Sequence, residues 1–196
     1  MPKNHPFHGP ENAEFELKKA YNLIIETGVI HFWDRRPIDG VHPEEVVTIY
    51  KRAFNAYRRD ERLAAERWAR TAKHLSRAFW HEAKIAYLEP RIGELPFLKG
   101  AREEYNLHED EREDTTSDLL ESVAHTLPPG HTEMPDPARR YISRARRHLE
   151  VLASDDYTDE LCRAERIKAA HEYSRVVECM ALALEAEGQS SGKRVA

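Results

Sequence analysis

From Arg62 to Glu89 the chain runs without a proline or a glycine, in a mixture dominated by alanine and arginine, and Pro90 ends the run. Alanine and arginine are both strong helix formers, so this stretch is expected to be one long helix. At about 100° per residue, Ala65, Trp68, Ala69, Ala72, Leu75, Phe79, Ala83 and Ala86 fall on one side. Arg67, Arg70, His74, Arg77, His81 and Lys84 fall opposite. Trp68, Ala72, Leu75 and Phe79 are therefore expected inside, and His74 and His81 in solvent. A looser counterpart, Asp159–Glu187, carries Cys162, Ala169, Tyr173, Val176, Val177, Met180 and Leu184 on one face.

Each long segment follows a shorter helical stretch and a polar turn, which makes each half of the chain a helical hairpin. Pro43 at a first helical position, with Glu44 and Glu45 behind it, opens the helix before the Arg59-Asp60-Glu61 turn. Its apolar stripe is Val46, Tyr50, Ala53, Phe54 and Tyr57. In the second half Asp136-Pro137 reads as a cap followed by a first-turn proline, with Tyr141, Ala145, Leu149 and Leu152 inward before Ser154-Asp155-Asp156. Ahead of these units, a helix from Asn12 to Thr27 has Phe15, Tyr21 and Leu23 among its apolar positions and Gly28 as its stop. Between them, Asp118 and Glu121 resemble a capping pair for a short helix ending near His125. The expected fold class is all-α: an irregular bundle of five or six helices built from two long hairpins. It is read as a single domain over residues 12–187, between tails at 1–11 and 188–196.

The 196 residues suffice for one full core, and 40% hydrophobic with 33% charged residues suits helices with heavily charged outer faces. The net charge of −5 provides no global field for nucleic acid or an anionic membrane. No apolar run approaches the ~20 residues of a membrane helix. Cys162 and Cys179 share one predicted helix and stand too far apart to bridge. A soluble, cytoplasmic protein follows as the expectation.

The stretch AYRRDERLAAERWARTA (Ala56–Ala72) resembles the middle of a tetratricopeptide repeat: a helix ending in Ala-Tyr, a polar turn, then Ala65 and Ala72 seven apart. The turn glycine of that family is missing, and nothing recurs at its period of about 34 residues. The resemblance implies partner binding by a helical surface, without catalysis. Arg166 and His171 form an Arg-x4-His string similar to that of HEPN-type ribonucleases, which are also helical bundles. Five residues of helix turn through about 500°, which sets the two side chains roughly 140° apart and works against a joint site. The string AERWARTAKHLSRAF from Ala65 is answered by AERIKAAHEYSRVV from Ala164. Duplication of a hairpin accounts for this echo, and so does helix composition alone.

Candidate chemistry is thin. Glu-x-x-His strings of the di-iron bundles are absent. Glu104/His108 and Glu121/His125 each place a carboxylate and an imidazole one turn apart, and Glu121 with His125 is the metal pair singled out, with His31, His42 or His131 as further ligands. Ser76, Ser143 and Ser174 lie within helices, without a Gly-x-Ser-x-Gly elbow. The densest positive run, Arg139–His148, contains Arg139, Arg140, Arg144, Arg147 and His148 as candidate nucleic-acid contacts. It follows the acidic stretch Glu103–Glu121, and mutual neutralisation of the two is the favoured alternative. The leading functional expectation is a non-enzymatic helical scaffold or interaction domain, self-associating or binding a protein partner, without cofactor. Behind it stand a nucleic-acid-binding or RNA-processing protein using Arg139–His148, and a metal-dependent enzyme using Glu121 and His125.

Overall fold

A computed structural model describes residues 10–34, 38, 41–91, 109–126, 131–154 and 160–192. It is all-helical, with six α-helices and no strand among the described residues. These are α1 (Pro10–Asp34), α2 (Pro43–Arg58), α3 (Arg62–Leu88), α4 (Glu109–His125), α5 (Asp136–Leu152) and α6 (Glu160–Gly192), with one 3₁₀ turn, Glu89–Arg91, closing α3.

The α2–α3 hairpin shows how local chemistry sets the geometry. Pro43 starts α2 and Arg58 sits in its last turn. The helix then closes with Glu61 N–H on Ala56 O at 3.0 Å and Asp60 N–H on Tyr57 O at 3.0 Å. That pair of bonds is the Schellman closure, which needs a left-handed residue at its apex. Asp60 takes that role with φ 63°, so an aspartate occupies the conformation glycine would favour. Asp tolerates it better than most residues because its short polar side chain bonds locally; here Asp60 Oδ1 accepts from Arg62 Nε at 2.7 Å. Ala65 and Ala72, the spaced alanines of the repeat-like hairpin, are fully buried.

The two long helices α3 and α6 form the centre and run antiparallel. Two rows of contacts fix their register. Trp68 meets Glu187, Glu82 meets Tyr173 and Glu89 meets Arg166 along one row. His74 meets Glu172 and His81 meets Glu165 along the other. Within each row the residues of either helix stand seven or fourteen apart, the heptad repeat that keeps one seam of a helix pair in contact. Between the rows lie Ala64, Thr71, Ala78 and Ile85 of α3, and Cys162, Ala169, Val176 and Ala183 of α6, all buried. Small side chains here let the two backbones approach closely. Ser76 and Ser174, also buried, return their hydroxyls to Ala72 O and Ala170 O. Cys162 and Cys179 are both buried, and no disulfide joins them to each other. Around this pair, α1 and α2 cover α3, while α4 and α5 cover α6.

Trp68, Ala72, Leu75 and Phe79 are buried as expected. His74 and His81 are not in solvent: their side chains are only 12% and 15% exposed. The sequence assigns α3 a single apolar face, whereas the helix is enclosed on two. The second face is made of Ala64, Thr71 and Ala78, too small and too mixed to register as a stripe.

Further corrections concern helix ends. Gly28 does not stop α1, which continues to Asp34, and a side chain on Gly28 would meet nothing within 4 Å. In α1, Ala13, Leu17 and Ala20 are the buried apolar positions, while Phe15 and Tyr21 are exposed. Asp118 lies inside α4, which begins at Glu109. Asp136 makes no capping bond and pairs with Arg139 instead. The last helix extends through the expected tail boundary at Gly188 to Gly192.

Candidate functional site

The imidazole–carboxylate row on α3 and α6 is the first concentration of chemistry. His74 Nδ1 lies 2.5 Å from Glu172 Oε2, and His81 Nδ1 lies 2.6 Å from Glu165 Oε2. Lys84 and Lys168 reach Glu165 at 3.4 and 3.1 Å. Burial pushes the Glu165 carboxyl up, but the His81 hydrogen bond and the charges of His81, Lys168 and Lys84 outweigh it and hold it at about 2. Glu172 is lowered in the same way, against burial, by His74 and Arg77.

Acid should therefore weaken the α3–α6 contact. A carboxylate whose folded value lies below its unfolded one adds stability above the unfolded value and loses it as pH falls toward the folded one. For Glu165 that window runs from the ordinary 4.5 down to about 2. Thermal melts from pH 7 to 2 should fall in this window, and Glu165→Gln should lower the pH 7 melting point while flattening the acid slope. An unchanged slope in the variant would remove Glu165 from the account.

The second concentration surrounds Glu82 of α3. Its Oε1 accepts from Tyr173 OH at 3.1 Å, Arg144 Nη1 at 3.1 Å and His148 Nε2 at 3.1 Å. Arg144 also donates to Tyr173 OH at 2.8 Å. Because His148 Nε2 faces a carboxylate, that nitrogen carries the proton, and Nδ1 accepts from Arg166 Nη1 at 3.2 Å. Tyr141, Tyr173 and His148 stack, with successive ring centroids 6.0 and 6.1 Å apart. Tyr141 donates to Glu45 of α2 at 2.9 Å. Burial, then the Glu82 charge, pushes the Tyr173 hydroxyl well up, so it stays a donor. Every group here answers another, which describes a locking network.

This network divides the basic run. Arg144 and His148 turn inward to Glu82, while Arg139, Arg140 and Arg147 are exposed. Arg140 pairs with Glu45 at 2.9 Å, and Arg139 with Asp136 and, at 3.8 Å, Glu133. From the acidic stretch, Glu121 approaches Arg146 at 3.7 Å; residues 103–108 lie outside the described residues. The positive charge is thus balanced mainly by acids of α2, α3 and α5 itself. Arg166 and His171 point to different places, Arg166 to Glu89 and His148, and His171 to a cavity described below.

Glu121 and His125 stand 3.3 Å apart on the surface of α4. Among the described residues no three metal-binding side chains gather. His42 is 3.6 Å from Glu44, and His131 is exposed. Glu104 and His108 lie outside the described residues, as does the side chain of His31.

Two concavities bear on function. One, about 590 Å³, opens between α1, α3, α4 and α6. Leu23, Glu26 and Thr27 line it from α1, Arg77, Trp80 and His81 from α3, Thr115 and Thr116 from α4, and Ile167, Lys168, His171 and Glu172 from α6. Desolvation lowers the His171 imidazole, which favours its neutral form. The other is a groove of about 620 Å³ between α1 and α2, with Leu17 and Tyr21 facing Tyr50, Phe54 and Tyr57. The Tyr21 and Tyr50 rings are 6.2 Å apart. Tyr21 and Phe54, both read from sequence as apolar positions of the helix faces, are about half exposed.

No family model, curated protein or solved structure matches the chain. Its chemistry is therefore carried by its own geometry alone. The sequence missed the cavity because four helices far apart in the chain each contribute two to four lining residues, and no local motif marks them. It missed the α3–α6 ion pairs for the same reason, although the seven-residue spacing of His74 and His81, and of Glu165 and Glu172, is visible in hindsight.

Proposed function

We propose that this protein is a non-enzymatic helical interaction domain that self-associates through the α1–α2 face. The observation that carries the reading is the groove of Tyr21, Tyr50, Phe54 and Tyr57 over Leu17, with Tyr21 and Phe54 left about half in water. Apolar patches rimmed by polar groups mark contact surfaces, and aromatic rings are enriched in interface cores. The rim supports a second copy as the partner. Glu14 and Lys18, 3.0 Å apart, border the groove, and a two-fold arrangement would let each meet its opposite on the other copy. The imidazoles and carboxylates that catalysis would need are largely engaged with one another, which supports a role without chemistry. No helix among the described residues is long and apolar enough to cross a membrane. Two buried thiols, with Cys179 pushed up by burial to about 11, suit a reducing cytoplasm.

Sedimentation velocity across a hundredfold concentration range tests this. The wild-type chain should shift from monomer to dimer, and Tyr21→Glu/Phe54→Glu should remain monomeric with unchanged helicity and melting point, both positions being exposed. A chain monomeric throughout, or a double variant that still dimerises, would remove this face from the reading.

A further inference from the structure

We propose that the cavity between α1, α3, α4 and α6 is a binding site for a compact aromatic molecule bearing one anionic group. Its size, about 590 Å³, is that of a small-molecule site. Its walls favour an apolar ring system: Ile167, Thr27 and Thr116 are buried, and Leu23 and Trp80 close the sides. Its polar groups are mostly donors. Arg77, Lys168, His81 and His171 line it, against two carboxylates, though His81 and Lys168 already meet Glu165. Of the two lining carboxylates, Glu172 already accepts from His74 and lies 3.7 Å from Arg77. Glu26 is exposed, at the open edge.

Arg77 sets the sign of the charge, and His171 adds direction. Partly buried in this cavity, His171 makes no hydrogen bond to another described residue, so its ring N–H is left for a ligand. An acceptor entering the cavity would take that N–H, and Arg77 lines the same cavity. A carboxylate, sulfonate or phenolate on an aromatic frame meets both demands. A cation would instead face Arg77 and Lys168. This inference is independent of the self-association reading, since Tyr21 and Phe54 line a different groove.

The probe is anilinonaphthalene sulfonate, an aromatic anion whose fluorescence rises in apolar surroundings, compared with phenylnaphthylamine, the same rings without the sulfonate. The sulfonate should bind saturably at one site per chain, and at least tenfold more tightly than the neutral amine. His171→Leu and Arg77→Met should each weaken sulfonate binding about tenfold, as loss of a charge-assisted hydrogen bond does, and leave the amine within twofold. Leu23→Trp should block both probes by filling the cavity. Circular dichroism and melting curves confirm that each variant folds, and Tyr21→Glu/Phe54→Glu should bind the sulfonate normally. Equal affinity for the two probes would overturn the anion requirement. No saturable binding, or binding indifferent to both Leu23→Trp and His171→Leu, would overturn the site.

Discussion

Ala72→Asp should leave little folded protein at 37 °C. Ala72 is fully buried within the hydrophobic core, so the substitution puts a carboxylate out of reach of water and adds volume to a packed interior. Burying an unpaired charge costs several kcal/mol even after its pKa adjusts, against a total stability of about 5–15 kcal/mol for a typical domain. Urea titration should show a loss of about 4 kcal/mol or more. Ser143→Asp, on the exposed side of α5, is the matched control and should stay within about 0.5 kcal/mol of the parent. Near-native stability for Ala72→Asp would mean that the phase of α3 is wrong.

The second large effect is expected at Glu82. Glu82→Ala strands Arg144, His148 and the Tyr173 hydroxyl around an empty position, and removing one member of a buried ionic network costs about 3–5 kcal/mol. For a chain of this size that is a fall in melting temperature of about 10 °C. Replacing the whole set, as Glu82→Met/Arg144→Met/His148→Phe/Tyr173→Phe, should recover much of the loss, because no buried hydroxyl or charge of the set is then stranded and Arg166 keeps Glu89. If the single change costs less than about 1 kcal/mol, the network contributes geometry without energy. The contrast also decides what Arg144 does: a residue locked to Glu82 should show its defect in melting before any binding assay.

The architecture was legible because the signals that set it are local in the chain. Pro43, Pro90 and Pro137, the alanine spacing of α3 and the turn at Asp60 are all local, and each maps onto the helix boundary it implies. Legibility failed where partners come from distant segments. His74 and His81 read as solvated because nothing near them in the chain indicates Glu172 or Glu165. Arg144 and His148 read as part of a basic surface because Glu82 is on another helix. Phe15, Tyr21 and Phe54 show the opposite failure: an aromatic ring counts as apolar in any periodicity, but whether another element covers it is decided by α1 and α2 packing, which places these rings at the surface. The cavity had no sequence signature at all.

The central pairing of α3 with α6 also has a consequence for synthesis. During translation at roughly 5–20 residues per second, α3 and its hairpin partner α2 are complete seconds before α6 has left the ribosome. Throughout that interval the surface of α3 that ends against α6, with Ala78 and Ile85 at its centre and His74 and His81 along its edge, has no cover. The two histidines give that waiting surface a polar margin until Glu165 and Glu172 arrive.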